Sequence, residues 1–263
     1  DRLQAGLERF APVLDAKLPA GAPILYASSM AGLEPTEPGR RLTPASPRHS
    51  GWMYPRFKVK AERYLESAKL SRPVVELVLA GVYSDDCELV PLYKSIRLFS
   101  GASPEKFFYP GPLDRGLTYV HISDTARAFR LGLEADYNQS DAAEGVFRVL
   151  IGEDAPVSYQ TIQRTVAREF SGGNGLLARI PRFIAFVGAV FLKYAAALIG
   201  RRRFIQPWMI RYAGEHFELD LSAAKRILGW EPQRAMKDEL AGIVSRARAN
   251  PQQFRAINDR RPW

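Results

Sequence analysis

Tyr54 and Lys58 stand four positions apart, with Pro55, Arg56 and Phe57 between them, a spacing that puts both on one helical face. A free tyrosine hydroxyl ionises near a pH of about 10, and an ammonium one turn away favours the phenolate, so the two together can pass a proton at neutral pH. Y-x-x-x-K also arises by chance, and a tyrosine and a lysine on a helix more often form an amphipathic rim. A second hydroxyl source is Ser28-Ser29, which closes a short apolar run; a serine pair in that place is most often turn chemistry. His121 and Asp124 have the types of an acid and a base. The simpler expectation makes Asp124 a helix N-cap and lets His121 tie a strand end to a loop or line a substrate lobe. Cys87 has no histidine or basic cluster near it in sequence and reads as a buried bystander. Three histidines and one cysteine, all scattered, argue against a protein metal site.

These residues need elements to hold them. An amphipathic run through Leu3, Leu7, Phe10, Val13 and Leu14 predicts a helix over about 2–17, stopped near Pro19 and Gly21. Because that run is under way at Asp1, it reads as a helix entered partway through, as in a piece of a longer chain. Residues 23–29 predict a buried strand that delivers Ser28 and Ser29 at its end. Residues 33–53, rich in Pro, Gly, Ser and Thr, predict a loop, and a helix over about 55–70 follows, with Pro55 acceptable only in its first turn. Pro55 also pushes Tyr54 to the helix boundary. Residues 74–79 form a second apolar strand ended by Ala80-Gly81. Strand, helix, strand at this spacing is a βαβ unit, hence a parallel sheet with ligands at the carboxyl ends of its strands. Further strands are expected at 117–122 and 146–151, and helices from Asp124 to about Leu133 and over 158–170. Residues 172–175, Gly-Gly-Asn-Gly, follow a helix rather than a strand and read as a cap and loop, not a phosphate cradle.

Composition narrows the classes. With 263 residues, 46% hydrophobic and 25% charged, the chain can bury one sizeable core with length left for a subsidiary lobe, and is neither disordered nor fibrous. One cysteine excludes an internal disulfide framework and fits a reducing compartment, so the cytoplasm is the expected setting. The net charge of +9 is spread along the sequence, with Arg201-Arg202-Arg203 as the dense run. No zinc-finger spacing, RNP-like pattern or recognition-helix signature accompanies it, so a nucleic-acid partner is not expected.

Together, five segments in order resemble the extended short-chain dehydrogenase/reductases, the group of nucleotide-sugar epimerases, dehydratases and 3β-hydroxysteroid-dehydrogenase-like enzymes. Ile24 to Ser29 is similar to the strand carrying that family's catalytic serine or threonine. Tyr54 to Lys58, 25 positions after Ser29, falls where its Y-x-x-x-K belongs. Leu79-Ala80-Gly81-Val82-Tyr83 resembles the strand end that faces the nicotinamide, and Tyr119 to Ala128 resembles its "YVHVDDVARA" segment. Asp220 to Pro232 is similar to its "D-x-S-K-A-x-x-x-L-G-W-x-P" segment. The family's amino-terminal G-x-x-G-x-x-G loop is not in the sequence, nor is the residue that separates NAD from NADP.

The resemblance implies an α/β chain, a Rossmann-type parallel sheet incomplete at its amino-terminal side, with a smaller C-terminal substrate-binding lobe. Residues 1–84 and 117–135 would form the dinucleotide-binding side, and 85–116 with 136–263 mainly the lobe. It implies NAD(P)-dependent redox chemistry, with NAD or NADP as cofactor, on a hydroxyl or carbonyl carbon of a small molecule. Ser29, Tyr54 and Lys58 would be catalytic. Tyr54 would move the proton, Lys58 would depress the Tyr54 pKa and bond the nicotinamide ribose, and Ser29 would orient substrate. Ala80, Gly81 and Val82 would meet the cofactor, and Ser28 and His121 the substrate. Two alternatives stand beside this: a nucleotide-sugar epimerase or dehydratase specifically, and a non-catalytic scaffold that kept the fold. Phe57 stands where the family commonly has serine or threonine, Val78 where arginine is frequent, and Ser84 in place of a glycine.

Residues 183–199 form an apolar stretch interrupted only by Lys193 and followed by Gly200 and three arginines. With Lys193 inside, it falls at the short edge of what spans a bilayer, about 20 residues. The first expectation is a buried helix of the substrate lobe; the alternative is a membrane-surface helix guiding a lipidic substrate, with peripheral contact through 183–203. A homodimer completes the expected partners.

Overall fold

The computed structural model describes residues 2–19, 21–101, 104–137, 145–172, 178–198 and 207–259. In chain order the first half runs α1 (Arg2–Lys17), β1 (Ile24–Ser29), α2 (Met53–Ser67), β2 (Val74–Leu79), β3 (Gly81–Tyr83), α3 (Val90–Phe99), β4 (Phe108–Tyr109) and β5 (Gly116–Leu117). Then follow β6 (Tyr119–His121), α4 (Ile122–Glu134), β7 (Val146–Ile151), β8 (Val157–Ser158), α5 (Tyr159–Ser171) and β9 (Ala178–Arg179). The helices α6 (Arg182–Leu198), α7 (Ser222–Leu228), α8 (Met236–Ala249) and α9 (Pro251–Asn258) complete it. The chain divides into two units.

The first unit takes in Asp1–Val82, Thr118–Pro156 and Phe217–Ala235. Its sheet has the order β1-β2-β7, every pair parallel, so the chain is α/β with a Rossmann-type parallel sheet. The apolar runs of the sequence are the cause: Val74 to Val78 are all buried, as a strand covered on both faces requires. Register places Ser29 beside Leu79 and Leu79 beside Ile151, which aligns the three carboxyl ends. At that edge a Cβ on Gly152 would meet Thr118 Cγ2 at 2.6 Å and Leu219 Cδ1 at 2.9 Å, so only glycine fits. On the opposite edge Ala11, Ile24, Leu65 and Val74 form an apolar cluster that fastens α1 and α2 to the sheet.

Helix α2 begins at Met53, two residues before the expected start, with Tyr54 and Pro55 both in its first turn. An N–H in that turn has no intrahelical acceptor, so the missing proline N–H costs nothing there. It ends at Ser67, earlier than expected, because Lys69 turns into the left-handed region at φ 46°. Helix α4 likewise starts at Ile122 rather than Asp124. His121 is the N-cap: its side chain accepts from Ser123 N. Asp124 is therefore not the cap, and its carboxylate accepts instead from the backbone N–H groups of Gln233 and Arg234, each at 3.0 Å. Trp230, fully buried, donates to Asp124 O, so the segment 217–235 is fastened to α4 inside this unit. Strand β7 and this segment thus fall in the first unit, and the remainder of 157–263 falls in the second.

The second unit takes in Tyr83–Leu117, Val157–His216 and Met236–Trp263. Helices α3, α5, α8 and α9 pack through residues such as Ile96, Val166, Ile243 and Phe254. The expected strand at 117–122 is split, because Gly116 and Leu117 pair antiparallel with β8 in this unit. Gly116 permits that approach: a Cβ there would lie 2.2 Å from Val157 O. Gly172 caps α5 in the left-handed conformation at φ 69°, as the cap reading expects; Gly173 to Gly175 lie outside the described residues. Helix α6 is not the expected buried helix. Its large side chains are exposed, Phe183 by 70% and Phe191 by 71%, while Ala189 is buried. Residues 199–206, including Arg201 to Arg203, lie outside the described residues. Among the described residues no helix is long and apolar enough to cross a membrane.

Candidate active site

Strand β1 and helix α2 hold the residues singled out by the sequence. Lys58 reaches back to the strand, where its Nζ donates to Ala27 O at 2.6 Å. The same ammonium lies 5.3 Å from the Tyr26 ring centre and 5.9 Å from that of Tyr54. Burial holds the Lys58 pKa below the ordinary lysine value, and the Glu62 carboxylate one turn on works against that shift. Tyr54 is 39% exposed, its ring 5.6 Å from that of Trp52. Adjacent residues of a strand face opposite ways, and the two serines differ accordingly. Ser29, half-buried, accepts from Ala31 N at 3.3 Å and caps the turn Met30–Gly32. Ser28, expected to meet substrate, is instead buried with its hydroxyl donated to Glu62.

Glu62 opens onto an ionic network that the motif reading did not anticipate. Its Oε2 accepts from Arg48 Nε and from Arg148, both at 2.7 Å. Arg148 also donates to Glu76 Oε2 from Nε at 3.0 Å, its register partner across β2 and β7, and Arg48 bonds Glu66. Glu76 is fully buried at the centre of the sheet, and its Oε1 has no hydrogen-bond partner among the described residues. Burial pushes the Glu76 pKa up to about 7 against the pull of Arg148. Burial, with Glu62 and Glu76 adding, raises the Tyr26 phenol well above its ordinary range. Two signals for this network were present: Glu76 interrupts an apolar strand, and Glu62 follows Lys58 by one helical turn. Neither says which arginines answer them.

A pH dependence follows. Because the fold raises the Glu76 pKa from 4.5 to about 7, the folded state holds that proton more tightly. The stability it contributes is complete below the unfolded value and is lost as pH rises through about 7, by roughly 1.4 kcal/mol for each pH unit between the two values. Thermal melts of the wild type should fall between pH 5 and pH 8 by an amount on the order of 2 kcal/mol more than those of Glu76→Gln. Parallel pH profiles for the two proteins would remove this assignment.

Ala80, Gly81 and Val82 continue from the carboxyl end of β2. Ala80 is buried and donates to Ile151 O at 2.8 Å, and Gly81 donates to Thr118 O at 3.2 Å. His121, expected at the substrate, is buried; Ser123 Oγ lies 2.7 Å from its Nδ1 and the Arg234 guanidinium 3.0 Å from its Nε2. These contacts join the strand end to the loop carrying Arg234. Cys87 is free and buried, its thiol pushed up to about 12, which fits an inert side chain.

The second unit contains a cleft of about 290 Å³ lined by residues 110–112, Arg115 and residues 179–182. Parallel pairing of β4 with β9 sets Arg179 there, and Tyr159 N donating to Arg115 O at 2.8 Å fixes the chain beside Arg115. Arg182 donates to Ala213 O at 2.8 Å. Burial raises the nearby Glu215 carboxyl to about 7, opposed by Arg182. Three arginines on one cleft are the chemistry of an anion site, and their spacing of 64 and 3 positions gives no sequence motif.

No family model matches the chain, and no curated protein matches it. Solved structures do. The UDP-glucuronic acid 4-epimerase of Bacillus cereus in complex with NAD is 14% identical at a TM-score of 0.61, over 97% of this chain and 66% of that one. MoeE5 in complex with UDP-glucose and NAD is 17% identical at 0.59, over 88% and 66%. UDP-glucose 4-epimerase of Thermotoga maritima with UDP-glucose is 18% identical at 0.59, over 88% and 65%. The chain spans about two thirds of the length of these NAD-dependent epimerase structures and shares their fold.

Proposed function

We propose that this chain carries the proton-transfer and substrate side of an NAD(P)-dependent oxidoreductase or epimerase acting on a hydroxyl or carbonyl carbon of a small molecule. The observation that supports it is the juxtaposition of Lys58, the Tyr54 ring and the carbonyl two residues before Ser29, at the carboxyl edge of a parallel sheet. Tyr54 exchanges the proton with the substrate oxygen, Lys58 stands by as the fixed positive charge, and Ser29 holds the oxygen in place. The residues present fit the nicotinamide end of a dinucleotide: a partly exposed phenol, an ammonium below its ordinary pKa, and the glycine and valine after β2. A bound nicotinamide would supply the hydride acceptor or donor. NAD, present in the similar solved complexes, is preferred over NADP. A homodimer, a cytoplasmic setting and peripheral membrane contact through 183–203 belong to the same reading.

A second reading within it, nucleotide-sugar epimerisation or dehydration, is favoured by the arginine cleft, because a nucleoside diphosphate needs paired cationic donors. Titration of NADH into the full-length protein, read by nicotinamide fluorescence, is expected to saturate. No saturable signal would overturn the redox reading and leave a scaffold that kept the fold. Turnover of UDP-sugars but not of uncharged carbonyl compounds would select the second reading.

A further inference from the structure

Helix α6 turns its large apolar side chains outward. Phe183, Ile184, Phe186, Val187, Phe191 and Tyr194 are all exposed by 48% or more, whereas Ala189 is buried. At about 100° per residue these six occupy an arc of roughly 160°, and Ala185, Gly188, Ala189 and Leu192 lie on the other side. A surface helix of a globular protein does the reverse. Arg182 and Lys193, both exposed, fall next to one another at one edge of the apolar arc, and exposed Arg179 precedes the helix.

We infer that this face docks in the plane of an anionic membrane surface. Charge decides between the two apolar occupants such a face could take. A second copy would bring the same cations against these, in a protein whose net charge is already +9, whereas acidic headgroups complement both. The arrangement of the side chains agrees: phenylalanines and a tyrosine enter the headgroup and acyl boundary, and the Lys193 stem runs along the apolar surface with its charge in the headgroup layer. The helix lies flat, since no described helix is long and apolar enough to cross. This deepens the membrane contact of the preceding reading and needs none of its redox chemistry.

Flotation of the full-length protein with phosphatidylcholine vesicles, with and without phosphatidylserine, tests it. The wild type is expected to float with the phosphatidylserine vesicles alone and to be released as salt rises. Phe183→Ser with Phe191→Ser should weaken binding by about tenfold or more, and Lys193→Gln by roughly fivefold. Thermal melts matching wild type confirm that each variant is folded; if the phenylalanine pair does not fold, the charge variant alone carries the test. Equal binding to uncharged vesicles, or no binding at all, overturns the inference. So does a sedimentation-detected dimer that Phe191→Ser abolishes. NADH titration of the same samples keeps the two proposals apart, because vesicle binding can fail with cofactor binding intact, and the reverse.

Discussion

Tyr54→Phe is expected to lower turnover by about 10²- to 10⁴-fold, the usual worth of a positioned acid or base, with little change in NADH affinity. The substitution removes one oxygen from a first-turn residue that is 39% exposed, so the fold should be untouched and the melting temperature unchanged. Lys58→Met should also lower turnover, but with a stability loss, because Lys58 holds Ala27 O as well. That contrast distinguishes a residue that only touches substrate from one that also belongs to the frame. A Tyr54→Phe enzyme with an unchanged rate would remove Tyr54 from the mechanism.

Arg148→Met should destabilise the protein by about 3–5 kcal/mol, since it leaves two buried carboxylates without their shared cation. Glu62 retains Arg48, but Glu76 is left, among the described residues, with Arg48 at 3.9 Å as its cation. The loss should be larger at pH 8 than at pH 5, because Glu76, pushed up to about 7 even with Arg148 beside it, takes up a proton at the lower pH. Denaturant melts at the two pH values measure it. Adding Glu76→Gln should return part of the loss, and a double variant no more stable than Arg148→Met would contradict the pairing.

How far residues announce their places differs from one part of the chain to another. Strands β1, β2 and β7 and the helix between the first two were legible, because an apolar run between punctuating prolines and glycines has few other outcomes. Helix α4 began two residues early because a histidine, not the aspartate, closed its first turn; one polar side chain looks much like another as a cap until its geometry is known. The network of Glu62, Glu76, Arg48 and Arg148 joins residues 14 to 86 positions apart, and no local pattern encodes partners at that distance. Helix α6 was legible as a helix but not as an exposed one. Apolar character tells that a face avoids water, and not whether protein or something else covers it.

Two bonds described above sit one helical turn apart on α2 and one residue apart on β1: Lys58 to Ala27 O, and Ser28 to Glu62. A helix pinned at two heights can neither slide along its strand nor roll on its axis without breaking one of them. Strand and helix must therefore travel as a single plate, with the phenol of Tyr54 at its rim. Any hinge near Tyr54 must lie outside that plate. The loop over 33–52 is clasped to the plate through Arg48 and Glu62, and to the 217–235 segment through Leu42, whose N–H donates to Glu218 O at 2.7 Å. A swing of that loop would have to part the ion pair or the backbone bond first, so Arg48, which pairs with the buried Glu62, also fixes the loop to the plate.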